Sequence, residues 1–347
     1  MSGEVAHVLV LGSANVDTSI QLDRFPAPGE TVFGDSAGST IGGKGANQAV
    51  AARLAGAEVA FVGMLGSDAN AQAARQTFAE YGVDTSDILT SANSPTGSAY
   101  IMVNAGGENI IVVASGANAD LTPAVLDNEK LAALVAKHQP AVVVTQGETP
   151  AAMVDQIATV CQQMDIRFVL NLAPVIPVAR QTLQVANPLV VNESEAIILK
   201  ALLDGSDSAA TGALADSETE GLPTGLSFTD RDITNTAQLA NFFANQIATS
   251  VVITLGANGA IWADGSSVQH IASPQPARVV DTTGAGDAFV GALAARLAAD
   301  ASLAQAVKWG VTAGSLAVQG RGTVNAYGPL ATLVMEDGLL IESELAS

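Results

Sequence analysis

Apolar and polar residues alternate along this chain in blocks that fit buried strands separated by amphipathic helices. Residues 7–11 form a short apolar run that ends at Gly12, which is typical of a strand in the centre of a sheet. Further strands are predicted at residues 59–65, 141–146, 167–171, 189–191, 251–255 and 260–263. Helical periodicity fills most of the intervals between them. The pattern therefore predicts an α/β fold, a doubly wound and mostly parallel sheet flanked by helices.

Two further β-prone segments have no crossover helix after them. Residues 31–40 are one, and residues 97–113 predict two strands joined by the Asn-Ala-Gly-Gly turn at residues 104–107. We expect about 18–41 and 97–114 to form a small sheet apart from the main one. A helix is also predicted to begin at Thr122-Pro123, and the pair Val279-Val280 is predicted to end a strand.

An acidic segment, residues 204–232, interrupts the regular alternation. It holds seven acidic residues and one basic residue, Arg231, among glycine, serine and threonine. This composition favours a solvated surface insertion, although a regulatory role stays open. The remaining pattern contains no repeat, so residues 1–347 are expected to form a single domain.

Charge and composition exclude several classes of protein. The formal net charge is −20, which argues against binding to nucleic acid or to anionic membranes. No apolar run reaches the length of a transmembrane helix, and the first residues lack the basic start of a signal peptide. The single cysteine, Cys161, excludes internal disulfides and fits the reducing cytoplasm. A nucleotide could still bind through Mg²⁺ and backbone N–H groups.

The stretch Asp281-Thr282-Thr283-Gly284-Ala285-Gly286-Asp287 carries the clearest chemical signal. A helix is predicted to follow it, with Phe289, Leu293 and Leu297 on its buried face. Small residues at a helix start let an anion approach unpaired N–H groups, and Asp287 is expected to be an ionised base beside them. Transfer of a phosphoryl group to an alcohol needs both features. A tight turn followed by a helix cap is the competing interpretation.

Two glycine-rich or polar stretches near the start of the chain favour a ligand site. Asn15 and Asp17 alternate with apolar residues, so both would face one side and suit the hydroxyls of a sugar, unless they only form a turn. Residues 38–44 match the start of a phosphate-binding P-loop, but Gly45 lacks the hydroxyl that such a loop requires next. The glycines would instead bring a ligand close to the backbone, within reach of Lys44 and Asn47.

Three motifs together resemble the ribokinase-like carbohydrate kinase family. They are Gly42-Gly43-Lys44-Gly45-Ala46-Asn47, Asn192-Glu193-Ser194-Glu195 and the stretch from Asp281 to Asp287. Their order and spacing agree from Val8 to about Gly322. The resemblance implies a large α/β domain with the small sheet as a lid, and transfer of phosphate from ATP to a sugar, with D-ribose preferred. It also implies Mg²⁺, a monovalent cation such as K⁺, and a homodimer formed through the lid sheets.

The resemblance also assigns roles to individual positions. Those expected to contact the sugar are Asn15, Asp17, Gly43, Lys44, Asn47 and Glu148. Asp287 matches the base that takes the proton of the sugar hydroxyl, and Gly284, Ala285 and Gly286 match the anion hole. Asn192 and Glu195 match positions that serve the phosphates and Mg²⁺ through water. Thr254, Gly256 and Gly259 match the nucleotide loop, and Gly286 of the anion hole also matches a position that contacts ATP. Positions matching the monovalent-cation site are Asp281, Thr283, Ala317, Gly320 and Gly322.

Two other functions remain compatible with these motifs. One is a kinase of the same fold that acts on a nucleoside or a hexose, for which only Tyr100 in the hairpin offers an aromatic ring. The other is a sugar-binding regulator without catalysis, which would not need a base, an anion hole and the Asn-x-x-Glu motif together. Three positions differ from the residues that are frequent in the family. Gly320 and Ala326 bear on the expected cation site, and Val311 bears on nucleotide preference.

Overall fold

The protein is described from a computed structural model that covers residues 6–205, 230–328, 333–336 and 339–342. In chain order the strands are β1 His7–Leu11, β2 Asn15–Gln21, β3 Asp35–Gly42, β4 Glu58–Val62, β5 Met64–Leu65, β6 Leu89–Thr90, β7 Gly97–Val103, β8 Asn109–Ala114, β9 Val142–Gln146, β10 Arg167–Asn171, β11 Ala186–Asn192, β12 Val251–Thr254, β13 Ala260–Ala263, β14 Val268–Ile271, β15 Leu333–Glu336 and β16 Leu339–Glu342. The helices are α1 Lys44–Leu54, α2 Ala69–Glu80, α3 Asn128–His138, α4 Ala151–Gln163, α5 Arg180–Val185, α6 Glu193–Leu203, α7 Asp230–Gln246, α8 Ala285–Ala298 and α9 Leu303–Ala317.

Eight of these strands form one sheet in the order β14-β13-β12-β11-β10-β9-β1-β4. The strands from β12 to β4 are parallel to their neighbours, and β13 and β14 add an antiparallel edge. Alternate residues of β1 face opposite sides: Val8 and Val10 join one apolar cluster, while Leu9 and Leu11 join another. Helices cover both faces, so the predicted doubly wound fold is confirmed.

The close approach of α1 to α8 positions the candidate site. Gly291 of α8 lies against α1, where a Cβ at this position would be 2.5 Å from Cβ of Ala51 and 2.6 Å from the carbonyl oxygen of Gln48. Any larger residue would push the two helices apart. Because Asp287 lies one turn before Gly291, this contact brings Asp287 beside the start of α1.

A second sheet has the order β3-β2-β7-β8 and contains both segments that lacked crossover helices. The β7–β8 hairpin turns at Asn104, whose Oδ1 accepts hydrogen bonds from the N–H groups of Gly106 (2.9 Å) and Glu108 (3.0 Å). Strand β2 begins only four residues after β1 ends. The short connection between them therefore joins the two sheets. Strand β8 is an edge strand, and all six of its residues are exposed.

Two boundaries in the large domain differ from the sequence prediction. The backbone at Thr122 makes a turn, because its carbonyl accepts from Val125 and Leu126 (both 3.0 Å), and α3 starts only at Asn128. Asp127 caps that helix by accepting from the N–H of Lys130 at 2.9 Å. Helix α7 begins at Asp230, so the last three residues of the proposed insertion are helical. Residues 206–229 lie outside the described ranges.

The predicted strand at Val279-Val280 is wrong. Both side chains are exposed, at 65% and 42%. Instead of pairing in a sheet, the N–H of Val280 donates to the carbonyl of Val318, at the end of α9 (2.7 Å). The edge strand β14 and the β15–β16 pair were missed because their short segments give little periodic signal. No helix within the described ranges is long and apolar enough to cross a membrane.

Candidate active site

The polar residues of the predicted site collect where the parallel strands of the large sheet end. Glu148 follows β9, Asn171 ends β10, Asn192 ends β11 and Thr254 ends β12. The carboxyl ends of parallel strands share one edge, which is where open α/β sheets bind ligands. Two cavities open there, of about 500 Å³ and about 140 Å³, and Lys44 lines both. The larger one also includes Asn15, Asn118 and Glu148, and Val113 from the second sheet.

The smaller cavity contains the start of α8. Its lining includes Lys44, Asn171, Asn192, Glu195, Thr254, Gly284, Gly286 and Asp287. Gly284 caps the helix in the left-handed region, with φ 76°, and the hydroxyl of Tyr327 donates to its carbonyl at 2.8 Å. The N–H of Ala285 donates to the carbonyl of Thr282 at 3.2 Å. Among the described residues, the N–H groups of Gly286 and Asp287 have no acceptor, so these two are the donors left for an anion.

The carboxylate of Asp287 is held by two neighbouring amides of α1. Nδ2 of Asn47 donates to Oδ2 and Nε2 of Gln48 donates to Oδ1, both at 2.9 Å. Burial raises the pKa of Asp287, and the charge of Lys44 and these two hydrogen bonds act against that rise. Asp287 was expected to be ionised with an ordinary pKa; burial instead raises its pKa and has the largest effect.

Asp17 faces the same site from β2. A Cβ at Gly42 would lie 1.9 Å from Oδ2 of Asp17, so only glycine leaves room for this carboxylate. Its Oδ1 is buried without a hydrogen-bond partner in the described part of the chain. Burial, together with the charges of Glu148 and Asp287, raises the pKa of Asp17 to about 7. A buried acceptor without a partner suits a ligand hydroxyl.

Asn15 and Glu148 line the larger cavity, and their side chains also form hydrogen bonds with neighbouring residues. Nδ2 of Asn118 donates to Oδ1 of Asn15 at 2.8 Å. Oε2 of Glu148 accepts from the N–H of Lys44 at 2.9 Å and from the hydroxyl of Ser13. The turn at Gly43 is therefore anchored to the end of β9 by one carboxylate. Gly43 and Asn47 line neither of the two cavities, although Asn47 contacts Asp287.

The Asn-x-x-Glu motif forms a capping box at the start of α6. Oδ1 of Asn192 accepts from the N–H of Glu195 at 2.8 Å, and Oε2 of Glu195 accepts from the N–H of Asn192 at 2.7 Å. Both residues also line the smaller cavity, opposite Asp287. Thr254 pairs with Asn192 in the sheet register and lines it too. Gly256 and Gly259 shape the turn after β12 and do not line either cavity.

Asp281, one of the five residues expected at a cation site, connects the loop before α8 with the loop after α9. Oδ1 of Asp281 accepts from the N–H of Thr283 and Oδ2 from the N–H of Gly322, both at 2.9 Å. Burial alone would raise the pKa of Asp281, but these two hydrogen bonds hold it below its ordinary value. The N–H of Gly320 donates to the carbonyl of Ala317 at 3.3 Å. The described residues contain no group of three or more His, Cys, Asp or Glu side chains that could hold a metal ion.

Sequence reasoning missed several polar residues of the site. Gln48 contacts Asp287 directly, Gln146 and Asn171 contact Gln48, and Asn118 contacts Asn15. Gln146 and Asn171 each end a predicted apolar strand, and that position was an available signal. The sequence gives no signal for the contact of Gln48 with Asp287, because that contact depends on the packing of α1 against α8.

This fold and site define a kinase of small alcohols. Residues 5–328 match the model of the pfkB family of carbohydrate kinases, and the chain belongs to that family, as its motifs predicted. Its relatives include a ribokinase of Staphylococcus aureus, 34% identical over 317 residues, with coverage of 91% of this chain and 94% of the relative. A ribokinase of Haemophilus influenzae is 33% identical over 90% of this chain and 92% of its own length.

Other relatives extend the comparison. A bifunctional ribokinase/ribose-5-phosphate isomerase A of Fructilactobacillus sanfranciscensis is 33% identical over 92% of this chain, which spans only 54% of that relative. Among solved structures, ribokinase of Arabidopsis thaliana complexed with ribose and ATP superposes with a TM-score of 0.76 at 26% identity. That alignment covers 93% of this chain and 96% of the plant chain.

Proposed function

We propose that this protein is an ATP-dependent ribokinase, which transfers the terminal phosphoryl group of ATP to the 5-hydroxyl of D-ribose. The observation that carries the proposal is the buried carboxylate of Asp287, which lines the smaller cavity and is held by two amides. Lys44 lines both that cavity and the larger one, so the two can act as one site. The ribokinase relatives support the same substrate.

In the proposed reaction the larger cavity holds the sugar and the smaller one holds the phosphates. Asp287 accepts the proton of the sugar hydroxyl, which prepares its oxygen for attack. The free N–H groups of Gly286 and Asp287 stabilise the charge of the phosphoryl group during transfer. Asp17 and Asn15 bind hydroxyls on the other side of the sugar. The second sheet acts as a lid that excludes water from the site, so that ATP is not hydrolysed.

Two cations fit this mechanism. Mg²⁺ keeps several of its waters and needs few protein ligands, so Glu195 and Asn192, which line the smaller cavity, would hold it through water. When bound it neutralises charge on the phosphates. A monovalent cation such as K⁺ is proposed at the two loops that Asp281 joins. There it would fix the shape of the loop that precedes α8.

The oligomer and compartment complete the proposal. We propose a homodimer through the second sheet, because β8 leaves an unpaired edge with exposed Ile110, Ile111, Val112 and Val113. The buried, unpaired Cys161 is compatible with the reducing cytoplasm.

A coupled assay for ADP release tests the substrate. D-ribose is expected to be the best acceptor among ribose, fructose, 2-deoxyribose and adenosine. Loss of one bound hydroxyl leaves a buried polar group without a partner, so 2-deoxyribose should lose about one to two orders of magnitude in kcat/KM. Adenosine should react poorly, because the residues lining the larger cavity include no aromatic ring for its base. If adenosine or fructose is preferred, the ribose assignment is wrong. If none of the four acceptors causes ADP release above background, a sugar-binding regulator is favoured.

A further inference from the structure

A chain of buried side-chain amides runs behind Asp287. Nε2 of Gln146, at the end of β9, donates to Oε1 of Gln48 at 2.8 Å. Nε2 of Gln48 donates to Oδ1 of Asn171 and to Oδ1 of Asp287, both at 2.9 Å. Nδ2 of Asn171 donates to the backbone carbonyl of Val190 at 3.2 Å. Gln48 and Gln146 are fully buried.

The direction of this chain is fixed by its ends. The carbonyl of Val190 can only accept, so Asn171 must turn its nitrogen toward it and its oxygen toward Gln48. Gln48 must then turn its nitrogen toward Asn171, and its second N–H is aimed at Asp287. Gln146 reinforces this orientation by donating to the oxygen of Gln48. Asp287 therefore faces a donor whatever its own state of protonation, and a donor stabilises the carboxylate form.

We propose that Gln48 is a positioning residue whose amide nitrogen, aimed by Asn171 and Gln146, holds Oδ1 of Asp287 so that the carboxylate stays deprotonated and correctly oriented as the base. Asn47 holds the other oxygen, Oδ2, and is also expected to contact the sugar. Gln48 has no such second role, because its amide nitrogen donates to Asn171 and Asp287 and its oxygen accepts from Gln146. This inference rests on the proposed function only in its assignment of Asp287 as the base.

Other groups also influence Asp287 and stay unchanged in the test. They are Lys44 at the start of α1, Glu148 after β9, Asp17 on β2 and Tyr327 after the turn at Val324–Ala326. Burial already raises the pKa of Asp287. Loss of the Gln48 donor would therefore raise this pKa further.

The decisive variant is Gln48→Glu, which keeps the size of the side chain and replaces the amide nitrogen that donates to both Asp287 and Asn171 by an oxygen. If Gln48 only filled space, its new charge alone could move the profile, but Gln146→Met, which adds no charge, would leave the profile unchanged. The positioning role predicts that the acid limb of the kcat–pH profile moves up by about one to two pH units, as expected for a lost hydrogen bond to a charged group and a new neighbouring carboxylate. The KM for ribose should change by no more than a few-fold. Gln163→Glu, an exposed substitution on α4, introduces the same charge and should leave the profile unchanged.

A second variant covers the case in which Gln48→Glu does not fold. Gln146→Met leaves Gln48 and Asp287 in place and removes one of the two groups that orient Gln48. It should shift the acid limb in the same direction by a smaller amount. A fall in kcat that is uniform across pH, or an unchanged profile in Gln146→Met, would overturn the proposal.

A readout without turnover separates this inference from the proposed function. The carboxyl ¹³C resonance of Asp287, assigned by its loss in Asp287→Asn, can be titrated in each variant. An upward shift of its titration midpoint in Gln48→Glu, and a smaller one in the uncharged Gln146→Met, supports the positioning role even if ribose is not the substrate. A wild-type midpoint in Gln146→Met refutes the role even if ribose is phosphorylated.

Discussion

Asp17→Asn is expected to stabilise the protein while it impairs sugar binding. In the folded protein the pKa of Asp17 is raised from 3.8 to about 7, because the carboxyl is buried and faces the charges of Glu148 and Asp287. Such a carboxylate costs free energy when it ionises in the folded state. Asparagine has the same shape and carries no charge, so it removes that cost.

The sign and size of the effect follow from linkage. Because the folded pKa is above the unfolded one, the folded state holds its proton more tightly, and stability falls as pH rises from 3.8 to about 7. A shift of about three units corresponds to at most about 4 kcal/mol, reached above pH 7. At pH 5 only about 1.6 kcal/mol of this loss has developed. The advantage of Asp17→Asn should therefore grow between pH 5 and pH 8.

Urea unfolding of both proteins at pH 5 and pH 8 measures this difference. The free energy of unfolding of Asp17→Asn should exceed that of the wild type by about 2 kcal/mol more at pH 8 than at pH 5. Asp23→Asn, an exposed change on the same segment, is the control and should follow the wild type at both pH values. An Asp17→Asn advantage that is absent or independent of pH would refute the assigned burial and charge interactions.

The remaining predictions concern the base, the cation and the dimer. Asp287→Asn should lower kcat by about 10²- to 10⁴-fold while calorimetry still detects ribose binding; turnover near the wild-type rate would remove Asp287 from the mechanism. Replacement of all K⁺ by a bulky organic cation should lower kcat, because the loops joined by Asp281 precede the anion donors; unchanged activity counts against that cation site. Val112→Lys places a charge on the exposed edge strand β8 and should yield a monomer by light scattering with unchanged thermal stability, and a persistent dimer would locate the interface elsewhere.

Much of the fold was accessible from local patterns in the sequence. Buried parallel strands such as β9 and β10 are continuous apolar runs, and α8 repeats apolar residues at helical spacing, so periodicity alone identifies them. Val279-Val280 shows where this reasoning fails. Valine favours strands only when a neighbouring strand is present, and here the end of α9 supplies the hydrogen-bond acceptor instead.

The site was accessible wherever its residues lie within one motif. Lys44, Asn47 and Asp287 could be singled out because they lie beside glycines at helix starts. The role of Gln48 and the raised pKa of Asp17 could not, because both arise between segments far apart in sequence. They depend on the contact of α1 with α8 and on three carboxylates from three separate elements. Such proximity is a property of the packed fold, and no single stretch of the chain encodes it.

The position of the transferred phosphate tests the central claim most directly. D-ribose and ATP are incubated with the enzyme, and the product is observed by ³¹P NMR. We expect a phosphomonoester signal split into a triplet by the two hydrogens on C5, absent when Asp287→Asn replaces the wild type. A doublet from phosphate on the anomeric oxygen, or release of inorganic phosphate without a sugar phosphate, would contradict the claim.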